Sequence, residues 1–151
     1  MSIATRLRDL KITLPDAPAP AANYVPYVQT GNLLFVSGQI SSRPDGLIKG
    51  RLGADMDVTQ GAAAARACGL ALLAQANAAL GSLDRVARVV KLTGFVASTP
   101  DFTDQPEVVN GCSDLMVEVF GDKGRHARAA VSAAALPRGV AVEIEAIFEI
   151  T

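Results

Sequence analysis

The 151 residues include no tryptophan, one histidine and two cysteines, and aromatic residues make up only 5%. A single histidine, His126, with Cys68 and Cys112 far apart, does not supply the ligand set of a structural zinc site. Each cysteine stands in a stretch that reads as helix, where buried, reduced thiols are expected. A histidine-based triad would have to use His126, and nothing places a nucleophile beside it. No G-x-G-x-x-G, G-K-[ST], H-E-x-x-H or G-x-S-x-G occurs.

Charge is also scarce. Charged residues are 19% of the chain, the formal net charge is −1, and no basic stripe is visible, which weighs against a nucleic acid as the main partner. The N-terminal MSIATRLRDLK lacks the apolar core of a secretory signal and fits a short amphipathic helix with Ile3, Leu7 and Leu10 on one side. The longest apolar stretch, GAAAARACGLALLAQANAAL, is largely alanine and contains Arg66, Gln75 and Asn77, too polar for a good membrane span. These features predict a cytoplasmic protein with no membrane partner.

Half of the residues are hydrophobic, enough for one globular domain with a sizeable core. Residues 1–23 are expected to form the N-terminal helix and a Pro/Ala-rich lead-in, and residues 24–151 the domain proper. TGN, between YVPYVQ and LLFVSGQI, signals a hairpin, and RPDG at 43–46 a second turn. LIKGRLGADM reads as a short strand or an irregular connection. Asp57 or Thr59 caps a helix that Gly81 ends, residues 85–98 alternate as a strand, and Pro106 opens a second helix closed by Gly121. In the last run, AVEIEAIFEI, Val142, Ile144, Ala146, Phe148 and Ile150 share one face, with Glu143, Glu145, Ile147 and Glu149 on the other. The order of elements predicts an α+β domain with two helices packed on one face of a mixed sheet.

HARAAVSAAALP, residues 126–137, sets one arginine among small side chains. Arg128 at a strand end either reaches solvent or pairs with Glu143 or Glu145, or else it grips a carboxylate through two parallel hydrogen bonds in space left open by the alanines. Glu143 then offers an acceptor for a water or a proton, its alternative being a plain exposed carboxylate. His126, two residues away, projects the same way on a regular strand and either lines the same cleft or lies on the surface. Ser37, in VSGQ, is better read as a polar residue ending a strand than as a nucleophile.

PYVQ…GNLLFVSGQI, VVN in the second helix and HARAAVSAAALPRGVAVEIEAI together resemble the reactive-intermediate deaminase (Rid, or YjgF) family, from about Tyr24 to Ile150, in particular its longer branch with an additional N-terminal segment. The resemblance implies a chorismate-mutase-like fold and a homotrimer whose sheets form a central barrel, with a cleft between neighbouring subunits. It implies hydrolysis of 2-imino and 2-enamino acids to 2-keto acids and ammonia with no metal or organic cofactor. On this resemblance Arg128 binds the carboxylate of a small substrate, while Glu143 and the backbone carbonyl of Ala130 hold the attacking water. Alanine at 130, where cysteine is frequent in the family, leaves that carbonyl in place. Tyr27 closes the cleft, with Tyr24 as the other candidate, Ser37 and Gly38 form its wall, and Asn110 serves helix packing. A protein that binds keto or imino acids without changing them, and less readily an endoribonuclease, are the competing functions.

Overall fold

A computed structural model describes residues 1–20 and 22–151. Ile3–Asp9 form α1, capped by the Ser2 hydroxyl, and Leu7 is buried on its inner side, with Ile3 and Leu10 packed beside it. The predicted hairpin is present: β1 (Tyr27–Thr30) pairs antiparallel with β2 (Leu33–Ile40), and Gly31 makes the turn with φ 59°. RPDG gives the small ribbon of β3 (Ser42–Arg43) and β4 (Gly46–Leu47), after which the chain is largely irregular up to Asp57.

Asp57, of the two candidates, caps α2 (Val58–Leu80). Its side chain accepts from the Gln60 backbone, and the Gln60 side chain accepts in return from the Asp57 backbone. Such a reciprocal cap contributes about 1 kcal/mol. Gly81, at φ 78°, ends the helix in the left-handed conformation that glycine adopts without a Cβ clash. α2 has the length and composition of a membrane-crossing helix, yet two thirds of its most apolar window is buried inside the protein. It is a core helix here, with Ala64, Cys68, Leu72 and Ala76 fully buried.

β5 (Val86–Ala97) follows, then α3 (Gln105–Phe120) with Pro106 in its first turn, β6 (Ala127–Ala133) and β7 (Val142–Ile150). The sheet order is β1-β2-β7-β5-β6; β5 and β6 run parallel and the other pairs antiparallel. This is the mixed sheet of the expected α+β fold, with a third helix, α1, at the N-terminus. The alternating face of β7 is core as predicted: Val142, Ile144, Ala146, Phe148 and Ile150 are all buried. Both cysteines are free and buried, and burial pushes the Cys112 thiol up to about 12.

The other side of the sheet is more open. Val28, Phe35 and Val131 are exposed there, and Phe95, Ile147 and Glu143 are half-buried. Pro18, ahead of β1, lies against the helix layer, where the buried Gln75 side chain donates to its carbonyl at 2.7 Å.

Candidate functional site

Arg128 lies near the start of β6, at an edge of the sheet. Strand pairing sets it opposite Leu92 of β5, whose fully buried side chain faces the helices, so Arg128 projects to the helix side. There α3 runs alongside. Both N–H bonds of Nη1 are used: one donates to Asn110 Oδ1 at 2.7 Å, the other to Ser113 Oγ at 3.1 Å. Asn110 and Ser113 are three residues apart on α3 and so present a common face. Asn110, expected to serve helix packing, instead holds the arginine with its side chain, and it does so together with Ser113, which the sequence does not single out. The i, i+3 spacing of two uncharged polar residues on this amphipathic helix was the available signal.

The ion pairs among the described residues are Arg66–Glu118 and Arg125–Asp122. Arg128 therefore pairs with neither Glu143 nor Glu145, and its contacts are neutral. Three of its five donors, on Nε and Nη2, remain beyond those two bonds. Nε–H and one of the two Nη2–H groups form the side-on edge of the guanidinium, two parallel donors that match the two oxygens of a carboxylate.

Ala130 follows two residues later on the same side, opposite Gly94. His126 also reaches this seam: Nε2 lies 2.8 Å from Ser113 Oγ, and Nδ1 is 2.6 Å from the Gly124 carbonyl. It is half-buried and hydrogen-bonded to the serine that holds Arg128, so it is no free surface side chain. Desolvation, together with the Arg128 charge, lowers its pKa against the opposing pull of the Gly124 carbonyl.

Glu143 belongs to a second group. It pairs with Ile40 of β2 and Phe95 of β5, on the side of the sheet away from the helices. Its carboxylate lies over Gly38, where a Cβ would collide with Oε2. Ser37 and Gly38 sit in a break of the β2–β7 register. The Ser37 hydroxyl donates to the Val25 carbonyl at 2.8 Å, which ties down the lead-in. Tyr27 packs partly buried against the core from β1, while Tyr24, before that strand, is 49% exposed.

Thus Arg128 joins Ala130, and Glu143 joins Gly38, but the two groups do not meet within one chain. They stand on opposite faces, with β5 between their strands and three residues of offset, about 14 Å of sheet from Cα to Cα. Two shallow recesses, about 550 Å³ beside Met1 and Phe120 and about 340 Å³ beside Lys49 and Leu136, contain neither residue. Among the described residues no group of three or more His, Cys, Asp or Glu side chains is placed to hold a metal ion.

Burial, and then the neighbouring charge of Glu145, raises the pKa of Glu143. Since the folded state binds this proton more readily than the unfolded chain, the ionised carboxylate costs stability above the raised pKa. The cost fades as pH falls towards the ordinary carboxylate value, roughly 4.3. Glu143→Gln is therefore expected to melt higher than the parent at pH 7, with the difference vanishing near pH 4. Thermal melts of both proteins across that range check it, and a parent that melts higher at neutral pH contradicts it.

The sequence model described as endoribonuclease L-PSP matches residues 14–150. Protein TCP17 of Trypanosoma cruzi is 55% identical over 150 residues, 98% of this chain and 94% of that protein. Among solved structures, Atu1372 of Agrobacterium tumefaciens, a protein of unknown function, superposes with a TM-score of 0.91 at 49% identity, covering 99% of this chain and 92% of that one. The Escherichia coli YjgF gene product superposes with a TM-score of 0.63 at 31% identity, covering 89% of this chain and 93% of that one. A fold shared over nearly the whole chain, with these identities, shows that the protein belongs to the endoribonuclease L-PSP family, also called YjgF/Rid.

Proposed function

We propose that the protein hydrolyses reactive 2-imino and 2-enamino acids to 2-keto acids and ammonia, in clefts between the subunits of a homotrimer in the cytoplasm. The observation that carries this reading is Arg128: a guanidinium with two neutral hydrogen-bonding partners, no counter-ion among the described residues and a side-on donor edge remaining. A substrate carboxylate supplies the missing charge. Residues 24–151 form the catalytic domain in this reading, and residues 1–23 an added N-terminal segment.

Glu143 and Arg128 cannot both touch one small ligand within a chain, so a neighbouring subunit must bring the second group. The exposed Val28, Phe35 and Val131 on the open sheet face favour such an assembly. In the assembled cleft, Arg128 fixes the carboxylate and thereby places the C=N carbon near a water held by the Ala130 carbonyl and Glu143 of a neighbour. Water adds to that carbon, Glu143 passing the proton to nitrogen, and the carbinolamine collapses to ketone and ammonia. A carboxylate whose pKa is raised suits this two-way proton transfer. Gly38 leaves room for the Glu143 carboxylate, while Ser37 and Tyr27 complete the wall. Because imines hydrolyse unaided, positioning supplies most of the required acceleration.

The family description names RNA cleavage, but a net charge of −1 favours a small acid over a polyanion. The test generates imino acids in place with an amino-acid oxidase and follows free keto acid against a competing semicarbazide trap. The protein is expected to accelerate keto-acid formation from several imines. Saturable binding of 2-ketobutyrate with no acceleration on any of them would replace the enzyme by a binding protein.

A further inference from the structure

The single histidine has no part in the reaction as proposed, yet it sits half-buried at the end of a chain of hydrogen bonds that begins on Arg128. Donor and acceptor valences leave the neutral ring one arrangement. The Gly124 carbonyl only accepts, so Nδ1 carries the ring proton at 2.6 Å. Arg128 only donates, so Ser113 Oγ accepts from it at 3.1 Å. The serine proton then points to the open lone pair on Nε2, 2.8 Å away. All the bonds run in one direction, from guanidinium to hydroxyl to imidazole to carbonyl. A protonated ring would instead aim its Nε2–H at the hydroxyl that already accepts from Arg128, and would set a second cation beside the guanidinium. Burial and the Arg128 charge both oppose that form.

The far end of the chain is firmly held. Gly124 lies in the 3-10 turn after α3, buried, and a Cβ there would collide with the Met116 carbonyl. Ser113 is on α3 itself, so the imidazole staples the start of β6 to that helix.

From this geometry we infer that Ser113 and His126 are positioning residues for Arg128: their hydrogen-bond chain, with Asn110, engages the whole of Nη1 and so presents the Nε–Nη2 edge to a carboxylate. Neither touches substrate; both act through the guanidinium. The inference rests on the carboxylate-binding role proposed for Arg128, and its test separates the two.

Because the protein has one histidine, ¹⁵N-histidine labelling yields the signals of a single ring. At pH 7 they should show the neutral tautomer protonated on Nδ1, which Ser113→Ala disturbs and Ser113→Thr preserves. A ring protonated on Nε2, or charged, overturns the inference. In parallel, calorimetry with 2-ketobutyrate as probe compares the parent, Ser113→Ala, Ser113→Thr, His126→Phe and Arg128→Ala. Losing the serine contact should weaken binding about five- to tenfold, in line with the net worth of one ordinary hydrogen bond, with threonine recovering most of it. His126→Phe should weaken it by a smaller factor, and in turnover the change should fall mainly on KM. If Ser113→Ala binds like the parent while Arg128→Ala loses binding, the positioning role is wrong and the proposed function stands. If the parent itself neither binds the keto acid nor hydrolyses imines, the proposed function is wrong, and the tautomer still decides whether the hydrogen-bond chain exists.

Discussion

Arg128→Ala is expected to lower kcat/KM for imino acids by about 10²- to 10³-fold, the equivalent of about 3–4 kcal/mol, while the protein keeps its fold. The magnitude follows from the role proposed for the arginine. A bidentate guanidinium–carboxylate contact combines charge with two directed hydrogen bonds, and it fixes the reacting carbon as well as binding the acid. Structural damage should be small. Asn110 loses a donor and Ser113 keeps His126 as its acceptor, so no cavity opens in the apolar core. Arg128→Lys should fall between parent and alanine, because an ammonium retains the charge but not the parallel donor edge. Steady-state rates with imines generated in place, alongside circular-dichroism melts, decide the matter. A rate unchanged in Arg128→Ala removes the arginine from the chemistry.

Gly111→Ala is expected to lower stability by about 3 kcal/mol, through overpacking of the helix pair. At this chain length that corresponds to a fall in Tm of roughly 10 °C. Gly111 lies where α3 crosses α2, and a Cβ at this position would land on the Ala62 carbonyl oxygen, with the Ala62 Cα at 3.0 Å. The obstacle is backbone, so no rotamer change relieves it; the helices must separate. Separation reaches the candidate site directly, since the same α3 carries Asn110 and Ser113 to Arg128. The variant should therefore melt early and also bind 2-ketobutyrate more weakly. Ala62→Gly in the same chain should not restore the melting temperature, because the carbonyl remains. A melt unchanged from the parent would mean that the helices yield at no cost.

Much of the fold was legible because its signals are local. Pro106 and Gly121 bracket α3, Asp57 and Gly81 bracket α2, and the alternation in β7 marks its buried face. LIKGRLGADM stayed ambiguous for a physical reason: it holds only the last residue of β4, Leu47, and isolated bridges at Lys49 and Leu52, whose partners include Val140 and Ser98, far away in the chain. Asn110 was misread for a related reason. Its side chain is polar on an amphipathic helix, and only the approach of β6 gives it a guanidinium to hold. Ser113 and His126 likewise acquire their roles from each other across the seam.

The sequence by itself determined the long helices and strands, which face of each is apolar, and that an arginine stands in a small-residue strand near a glutamate-bearing one. These are properties of short stretches, set by side-chain periodicity and by caps within a few residues. Only the tertiary structure decided the strand order β1-β2-β7-β5-β6, and with it the placing of Arg128 on the helix side at one edge and Glu143 on the open side two strands away. Pairing between distant strands sets both order and facing, and a shift of one residue would turn either side chain to the other face. That separation is why the proposed site, which uses both groups, calls on a second subunit.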